Sequence, residues 1–387
     1  MSNAFIDRKL RSELIRLSQH YAVLVLTGPR QSGKTTLCKN LFSDYHYVNL
    51  EDISLREQIA ASPKGFLKQY AKGVILDEVQ RYPELFSYIQ VVADEVDGSH
   101  FVLTGSSNFT LMEKVTQSLA GRAATLTLLP LSLSELGDHI KADTNTLLLN
   151  GGYPAVWAKN IPVQDASRNY YNTYIERDVR GLLNIKDLTK FQTFIRLCAG
   201  RTATELTASA LSNEVGVSVP TVNEWLSVLE ASYILFRLPP FYRNVGKRLI
   251  KTPKIYFCDT GLVCFLLGIE NEQQLAAHPL RGSIFENLVV LEFLKNRFNR
   301  GKLANLFYYR DQSQREVDIV QEHADKLYAY EIKSAKAFHR DFLKNLVYLK
   351  KLLGSNLVST QVIYDGETDI DSPEYGMMNF RNAVPVS

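Results

Sequence analysis

The sequence has few cysteines, and no two of them are spaced to hold a metal. Cys38, Cys198, Cys258 and Cys264 are scattered along 387 residues, with no Cys-x-x-Cys pair and no histidine beside them. This pattern argues against a zinc site and against a disulfide framework, and it fits a reducing compartment. We therefore expect neither a zinc centre nor a cross-linked fold.

The sequence also lacks long apolar runs and a strong charge of either sign. No apolar stretch approaches the ~20 residues needed to cross a bilayer, and the amino terminus lacks the apolar centre of a signal peptide. The net charge is +3 at pH 7, so a surface that binds nucleic acid must be a local patch. We expect a soluble, cytoplasmic protein, and the chain is long enough for about two to four domains.

One stretch near the amino terminus carries a strong functional signal. Five apolar residues, 22–26, form a short run suited to a buried parallel strand. The pattern Gly28-x-x-x-x-Gly33-Lys34-Thr35 follows, and a helical stretch continues to Leu41. Strand, glycine-bounded loop and helix in this order predict a phosphate-binding P-loop, whose backbone N–H groups surround the β-phosphate at the positive end of a helix dipole.

The alternative interpretation of this stretch is a glycine turn before an ordinary helix. In the P-loop interpretation, Lys34 reaches the β- and γ-phosphates and the Thr35 hydroxyl completes the Mg²⁺ shell. The predicted nucleotide-binding residues of this segment are Gly28, Pro29, Arg30, Gln31, Ser32, Gly33, Lys34, Thr35 and Thr36.

Two later strands predict the rest of a nucleotide-hydrolysing centre. The apolar run 73–76 ends in Asp77 and Glu78; the first acid is expected to hold the Mg²⁺ shell and the second to polarise the attacking water. The run 101–104 ends in small polar residues, and Ser106 and Ser107 are expected near the γ-phosphate. The alternatives are a strand end that meets solvent and a polar turn. The succession of strands and helices predicts a doubly wound parallel sheet.

This order of motifs resembles the AAA+ ATPases. The resemblance implies that the polar strand end acts as that family's sensor 1. It also implies that Arg122, near the end of the following helix, reaches into a neighbouring subunit's nucleotide as a catalytic arginine. The alternative is a solvated arginine that caps a helix. A homo-oligomer with Mg²⁺ and ATP as cofactors is therefore expected; ATP rather than GTP is implied by the resemblance alone, since the sequence has no guanine-reading Asn-Lys-x-Asp.

The middle of the chain predicts two further domains. Residues 132–200 are expected to form a helical lid, which begins at a capping box of Ser132 and Glu135; its tyrosine-rich helix is interpreted as a packing face. Residues 201–274 have helix-turn-helix spacing with Gly216 at the turn. A basic bend that includes Arg243, Lys247, Arg248, Lys251 and Lys254 is expected to contact phosphates as a wing. The alternative role for a winged helix is dimerisation or linkage.

Residues 275–387 predict a second site. A helix carries Glu286, and two later strands, expected to form a hairpin, carry Asp318, Glu331 and Lys333. Carboxylates that share a divalent ion, beside a lysine, provide what phosphodiester hydrolysis needs. The arrangement resembles the PD-(D/E)xK nuclease fold, with Glu286 at the position of its helix-borne acid. The alternatives are an exposed hairpin with an ordinary Glu–Lys pair, and a nuclease fold without activity.

Together these segments resemble a prokaryotic family of AAA+-like ATPases with a carboxy-terminal winged-helix and nuclease-like region. The predicted boundaries are 1–131 for the ATPase core, 132–200, 201–274 and 275–387. The leading hypothesis is a Mg²⁺-dependent ATPase that acts on nucleic acid, DNA in the first place, with a metal-dependent nuclease site. The competing hypothesis is a nucleotide-dependent switch or scaffold whose nuclease-like domain is inactive. A small-molecule kinase is disfavoured because no stretch suggests an acceptor pocket.

Overall fold

A computed structural model describes residues 5–106, 117–179, 185, 187–241, 252–372 and 375–383. The chain forms two compact units. The first comprises residues 1–131 with the short pieces 231–233 and 298–302, and the second comprises 132–230, 234–297 and 303–387. Among the residues the structure describes, no helix has the length and apolar character needed to span a membrane.

The first unit is built on a parallel sheet of five strands. Their order is β2-β3-β4-β1-β5, and every neighbouring pair is parallel. The sheet confirms the predicted parallel P-loop architecture, with β1 between β4 and β5. The strands are β1 Val23–Thr27, β2 His46–Asn49, β3 Val74–Asp77, β4 Phe101–Thr104 and β5 Ala123–Thr127.

The central strand β1 is buried on both faces of this sheet. Val23 and Val25 pack into one apolar cluster, while Leu24 and Leu26 pack into another, as the alternation of side chains along a strand requires. Helices cover both faces, which explains why β1 is a continuous apolar run. The helices of this unit are Arg11–Ser18, Lys34–Leu41, Ile53–Ala61, Pro63–Gln69 and Leu85–Glu95, with a 3₁₀ turn at Val79–Arg81.

The second unit begins with helical segments. The Ser132–Glu135 capping box is present, but it opens only a 3₁₀ turn, Leu133–Glu135, rather than the predicted helix. Gly137, with a φ of 57°, follows within two residues and changes the direction of the backbone. The other segments are the 3₁₀ helix Gly137–Lys141, the α-helices Thr144–Asn150, Pro154–Ala158, Val163–Tyr170 and Leu188–Ala199, and the π-helix Tyr171–Val179.

The tyrosine-rich stretch is a packing surface, as the sequence predicted. Tyr170, Tyr171 and Tyr174 are buried, and the rings of Tyr170 and Tyr174 lie 5.3 Å apart. The side chain of Arg177 and all of Arg180, which belong to the same stretch, lie outside the described residues. The described part of this stretch therefore contributes to the core of the second unit.

The predicted helix-turn-helix segment contains two helices and a small antiparallel sheet. Helices Ala208–Val215 and Val219–Ala231 are joined at Gly216, whose φ of 69° permits the turn. The sheet has the order β6-β8-β7, with β6 Thr204–Glu205, β7 Leu235–Leu238 and β8 Lys254–Phe257. Residues 242–251, which carry most of the predicted wing, lie outside the described residues. The winged helix stays a prediction.

The carboxy-terminal part is a mixed sheet of six strands in the order β13-β14-β12-β11-β10-β9. The predicted hairpin is present, because β10 and β11 pair antiparallel, and β11 then pairs parallel with β12. The strands are β9 Leu306–Arg310, β10 Glu316–His323, β11 Lys326–Lys333, β12 Leu357–Tyr364, β13 Ile370–Asp371 and β14 Gly376–Asn379. The helices are Thr260–Leu266, Glu272–Ala277, Arg281–Phe298 and Lys344–Leu353, with 3₁₀ turns at Arg340–Leu343 and Gly354–Asn356.

All four cysteines are buried and free. Burial raises the pKa of Cys38 to about 12 and that of Cys264 to about 12, and it also raises the pKa of Cys198 and Cys258. The expectation of a fold without disulfides is confirmed.

Candidate active site

The P-loop connects β1 to the helix Lys34–Leu41 and has the backbone of a tight cradle. Gly28 has a φ of 140° and Gly33 a φ of 94°, both in the region that favours glycine. A Cβ on Gly28 would lie 2.2 Å from the carbonyl oxygen of Leu128, so only glycine fits this close approach. Gln31 also has a positive φ, 63°. The loop therefore has the shape needed to turn its N–H groups toward a phosphate.

Lys34 lies buried inside this cradle. Its Nζ donates hydrogen bonds to the carbonyl oxygens of Gly28, at 2.9 Å, and Pro29, at 2.8 Å. Burial lowers the pKa of Lys34 to about 8, although the charges of Glu78 and Asp77 oppose the shift. A phosphate that replaces the two carbonyl contacts supplies the negative charge that this buried ammonium lacks.

Asp77, at the end of β3, is the centre of a hydrogen-bond network. Its Oδ2 accepts from the hydroxyls of Thr35 and Tyr47, each at 2.8 Å, and its Oδ1 accepts from Thr104. Hydrogen bonding of this kind orients a carboxylate. The structure thus brings Thr35 and Asp77 together, as the sequence predicted, and adds Tyr47 and Thr104 to the site.

Glu78 follows Asp77 in a left-handed backbone conformation, with a φ of 55°. Its Oε2 accepts a hydrogen bond from the amide of Gln80 and lies 3.4 Å from the hydroxyl of Ser106. Positive φ is rare for a glutamate and is a source of strain at functional sites. The adjacent acids therefore have different partners: Asp77 contacts the P-loop threonine, while Glu78 contacts the polar end of β4. Ser107 lies outside the described residues.

Other predicted residues of the loop have distinct surroundings. Arg30 donates to Glu51 at 3.2 Å, and Thr36 and Gln31 are exposed. Ser32 is fully buried, and no described residue forms a hydrogen bond with its Oγ. A buried hydroxyl without a hydrogen-bond partner, in a loop where Gly28 cannot carry a side chain, fits a ligand that bears a phosphate. The donors Thr35 and Asp77 are oxygen groups of the kind that Mg²⁺ prefers.

Arg8 was missed from the sequence, although it supports the P-loop directly. Its guanidinium donates to the carbonyl oxygens of Ser32 and Leu129, each at 2.6 Å, and only 4% of the residue is exposed. Arg8 therefore ties the loop to the chain beyond β5. No local motif surrounds it, because its partners lie 24 and 121 residues away.

Arg122 lies at the amino-terminal ends of β1 and β5, whereas the P-loop lies at the carboxyl end of β1. Its carbonyl accepts from Val23 at the start of β1, so about five residues of strand, roughly 16 Å, separate it from the loop. Its guanidinium forms a bidentate pair with Asp94, at 2.6 and 2.8 Å, on the surface of the unit. Arg122 does not reach its own chain's P-loop; action on a neighbouring subunit stays a prediction.

The four predicted residues of the second site lie in the carboxy-terminal sheet and the helix beside it. Asp318 and Glu331 are 6% and 5% exposed, so the alternative of an exposed hairpin is wrong. Asp318 Oδ2 accepts from the backbone N–H of Ile332 at 2.7 Å, and Glu331 Oε1 accepts from Lys333 at 2.6 Å. Both acidic side chains are therefore buried from solvent.

Lys254, which the sequence placed in an exposed basic bend, is instead 2% exposed on β8. Its Nζ lies 3.0 Å from Glu286, 2.5 Å from Glu316 and 3.8 Å from Asp318. The expectation for Lys254 was wrong because its neighbours in sequence are basic, whereas its neighbours in space are acidic. Tyr256 donates to the same oxygen of Glu286 at 2.7 Å. We call Lys254, Glu286, Glu316, Asp318 and Glu331 the acid cluster.

Burial dominates the protonation of the acid cluster. It raises the pKa of Glu286 to about 7 against the opposing charge of Lys254. It raises the pKa of Glu331 to about 8, with Asp318 adding to the shift and Lys333 opposing it. Burial alone lowers the pKa of Lys254, but the surrounding groups, Tyr256 and Glu286 first, raise it well above its usual range. Lys254 is therefore an ammonium ion among carboxyl groups.

Three family models match consecutive parts of the chain. Residues 20–137 match a family model described as an AAA domain, 141–273 match a domain of unknown function, DUF8612, and 281–385 match another, DUF4143. The family match and the P-loop geometry agree. This segment is an AAA-type P-loop domain.

Two uncharacterized proteins are similar to most of this chain. The uncharacterized protein Rv2008c of Mycobacterium tuberculosis is 29% identical over 375 residues, which cover 95% of this chain and 82% of that protein. The uncharacterized protein MJ1544 of Methanocaldococcus jannaschii is 25% identical over 337 residues, 77% of this chain and 71% of that protein.

Among solved structures, similarity is found to the Walker-type ATPase of Pyrococcus abyssi. Its TM-score is 0.43 at 15% identity, and the match covers 68% of this chain and 96% of that one. AMPPCP-bound DnaA of Aquifex aeolicus matches with a TM-score of 0.30 at 13% identity, over 57% of this chain and 85% of that one.

Proposed function

We propose that this chain is a Mg²⁺-dependent ATPase that couples hydrolysis to action on nucleic acid. The observation that carries the proposal is the convergence of Lys34, Thr35, Asp77 and Glu78 at one edge of the parallel sheet, within an AAA-type domain. Ligands bind at this edge in open α/β sheets, at the carboxyl ends of the strands. A nucleoside triphosphate is therefore the class of substrate that the site fits, and ATP is proposed from the resemblance to AAA+ ATPases.

The residues of the site divide the chemistry among them. Lys34 and the P-loop N–H groups bind the phosphates, and Thr35 and Asp77 hold the Mg²⁺, which neutralises phosphate charge when bound. Glu78 orients and polarises the attacking water once its carboxylate leaves Gln80. Ser106 contacts Glu78 and acts at the γ-phosphate side of the site. The network around Asp77 keeps its carboxylate in place for the metal.

Two substitutions test the ATPase proposal separately for binding and hydrolysis. Lys34→Ala is expected to abolish ATP binding and turnover. Glu78→Gln is expected to retain ATP but to lower kcat by at least about 100-fold, the usual contribution of a positioned base. Lys64→Ala serves as the control, because Lys64 is a half-exposed lysine of the same unit that pairs with Glu95. Turnover of the Lys34→Ala protein at the control rate would contradict the proposal.

Action on nucleic acid is supported by the sequence of the predicted wing and not by the second helix of the pair. The helix Val219–Ala231 has no lysine or arginine, so phosphate contacts fall to the bend. Replacement of Arg243, Lys247 and Arg248 by alanine is expected to remove stimulation of the ATPase by DNA and to lower the salt dependence of binding. ATPase rates that do not respond to DNA or RNA would favour a nucleotide-dependent switch.

A homo-oligomer is part of the same proposal. Arg122 lies on the surface with a bidentate partner, Asp94, and away from its own P-loop. It supplies a charge to the phosphoryl group bound by a neighbouring subunit. Arg122→Ala is expected to keep ATP binding and to lose most of the turnover, and a mixture with the Lys34→Ala protein is expected to recover activity in hybrid assemblies. Unchanged turnover of Arg122→Ala would exclude this role.

For the second site, one observation favours the competing hypothesis of a silent nuclease-like domain. Lys254 occupies the space among Glu286, Glu316 and Asp318. Metal-dependent cleavage by Glu286, Asp318, Glu331 and Lys333 predicts that Asp318→Ala removes DNA cutting with Mg²⁺ or Mn²⁺ and spares the ATPase. A silent domain predicts no cutting by either protein. Cleavage that survives in Asp318→Ala would show that the activity arises elsewhere.

A further inference from the structure

Lys254 lies near three of the acidic side chains of the acid cluster. It reaches Glu286 on the helix Arg281–Phe298, and Glu316 and Asp318 on β10. Glu316 and Asp318 lie two residues apart on one strand, so their side chains share a face of the sheet. The ammonium is within hydrogen-bond distance of Glu286 and Glu316, while Asp318, at 3.8 Å, interacts with it through charge alone. Lys254 therefore has the position of a cation at the centre of a ligand set.

A divalent ion needs the same oxygens that the ammonium uses. Mg²⁺ and Mn²⁺ require several oxygen ligands at about 2.0–2.3 Å, and carboxylates from neighbouring strands are the usual source. In the described parts of the chain no three histidine, cysteine or acidic side chains are grouped as a metal site. Two buried cations in contact repel each other strongly in a low-dielectric interior. The residues, as arranged here, do not fit a divalent ion.

One acceptor atom of the acid cluster, Glu331 Oε2, has no hydrogen-bond partner among the described residues. Glu331 Oε1 is engaged by Lys333, but Glu331 Oε2 is buried and forms no hydrogen bond to any described residue. A buried polar oxygen without a hydrogen-bond partner is costly, and an ion or ligand that completes the site is one explanation for it. As arranged around the ammonium these oxygens do not form a metal site, and Lys254 occupies the position among Glu286, Glu316 and Asp318 that a divalent ion would need.

We infer that Lys254 is the resident cation of the acid cluster and excludes divalent metal ions from it. Removal of the ammonium converts the cluster into a site for a hard divalent cation, with oxygen ligands from Glu286, Glu316, Asp318 and Glu331. This inference concerns the second unit alone. It does not depend on the proposed ATPase activity.

The test measures Mn²⁺ binding to the full-length chain without nucleotide, by electron paramagnetic resonance. The Lys254→Met protein is expected to bind one more Mn²⁺ per chain than the wild type, at least about tenfold more tightly than any Mn²⁺ in the wild-type cluster. The second substitution Asp318→Asn is expected to remove that ion. Lys295→Met is the matched control: Lys295 is a 3% exposed lysine of the same unit that pairs with Glu292 at 2.9 Å, and its removal is expected to create no site.

If the Lys254→Met protein folds too poorly for the binding measurement, its unfolding midpoint with and without divalent ions tests the same inference. The variant leaves buried carboxylates without a counter-charge, which is strongly destabilising. Mn²⁺ or Ca²⁺ is expected to raise the unfolding midpoint of Lys254→Met and to leave that of the wild type unchanged, and Glu286→Gln is expected to rescue Lys254→Met in part. Two results would overturn the inference: a wild-type Mn²⁺ site that Asp318→Asn removes, or a Lys254→Met protein that neither binds Mn²⁺ nor is stabilised by divalent ions. Since none of these readouts uses ATP, a failed ATPase test leaves them intact.

Discussion

Substitution of Arg8 should weaken nucleotide binding even though Arg8 is outside the P-loop. Its guanidinium holds the carbonyl oxygens of Ser32 and Leu129 at 2.6 Å in a buried setting. A hydrogen bond from a charged donor contributes about 1.5–3 kcal/mol. Loss of both bonds in Arg8→Met therefore removes about 3–6 kcal/mol, less whatever the carbonyl groups recover from water.

We expect the lower end of this range, about 3 kcal/mol, as the decrease in the free energy of unfolding of the first unit. The Ser32 carbonyl belongs to the P-loop, so part of this loss falls on the loop conformation that binds phosphate. A loop disfavoured by only 1.4 kcal/mol binds about tenfold more weakly. The affinity for ATP should therefore fall by at least about tenfold, with little change in kcat once the site is saturated.

Urea unfolding and titration with a fluorescent ATP analogue measure the two effects. Arg11→Met is the matched control, because Arg11 has a 42% exposed side chain whose guanidinium lies 3.6 Å from the exposed Asp7; surface pairs of this kind contribute little. Arg8→Lys should be intermediate, since one ammonium cannot span both carbonyls as a guanidinium does. The reasoning is refuted if Arg8→Met binds ATP and resists urea as well as Arg11→Met.

Three further predictions concern the P-loop and the acid cluster. ATP binding should take up protons at pH 8–9 but hardly at pH 7, because burial lowers the pKa of Lys34 to about 8 and phosphate restores its charge; calorimetry in buffers of different ionisation enthalpy tests this, and equal heats would contradict it. Gly28→Ala should abolish ATP binding, since its Cβ would meet Leu128 O at 2.2 Å, whereas Gly121→Ala, also at positive φ but in open space, should bind normally. Glu331 keeps its proton up to about pH 8 when folded but releases it near pH 4.3 when unfolded, so its contribution to stability is present below pH 4 and lost as the pH rises to 8; Glu331→Gln should flatten that loss in urea titrations, and an equally steep loss would exclude it.

The P-loop and its two acids could be predicted because their signals are local. Gly28, Gly33 and Lys34 lie within seven residues, and the loop geometry follows from the glycines themselves. The parallel sheet also followed from the alternation of strands and helices, whereas the strand order β2-β3-β4-β1-β5 was not predicted. In contrast, Arg8 could not be found, because its two partners lie far along the chain and nothing beside it in sequence marks the contact.

The acid cluster shows both a missed signal and a limit. Glu316 stands two residues before Asp318 on a strand, so the period of two already places both acids on one face; this signal was available. Lys254 gave no such signal, because its three carboxylate partners lie 32, 62 and 64 residues further on. The basic residues near Lys254 in the sequence predicted a basic surface. The structure shows instead that Lys254 is buried on β8, between β6 and β7.

The burial of all four cysteines has a practical consequence. With the pKa of Cys38 near 12 and the other three also raised, little of any native thiol is thiolate at neutral pH, and thiolate is the form that reacts. A cysteine introduced on the surface would then be by far the fastest to react with a maleimide dye. The movement of Glu78, Arg122 or the helices around them could be followed by fluorescence in the otherwise native chain.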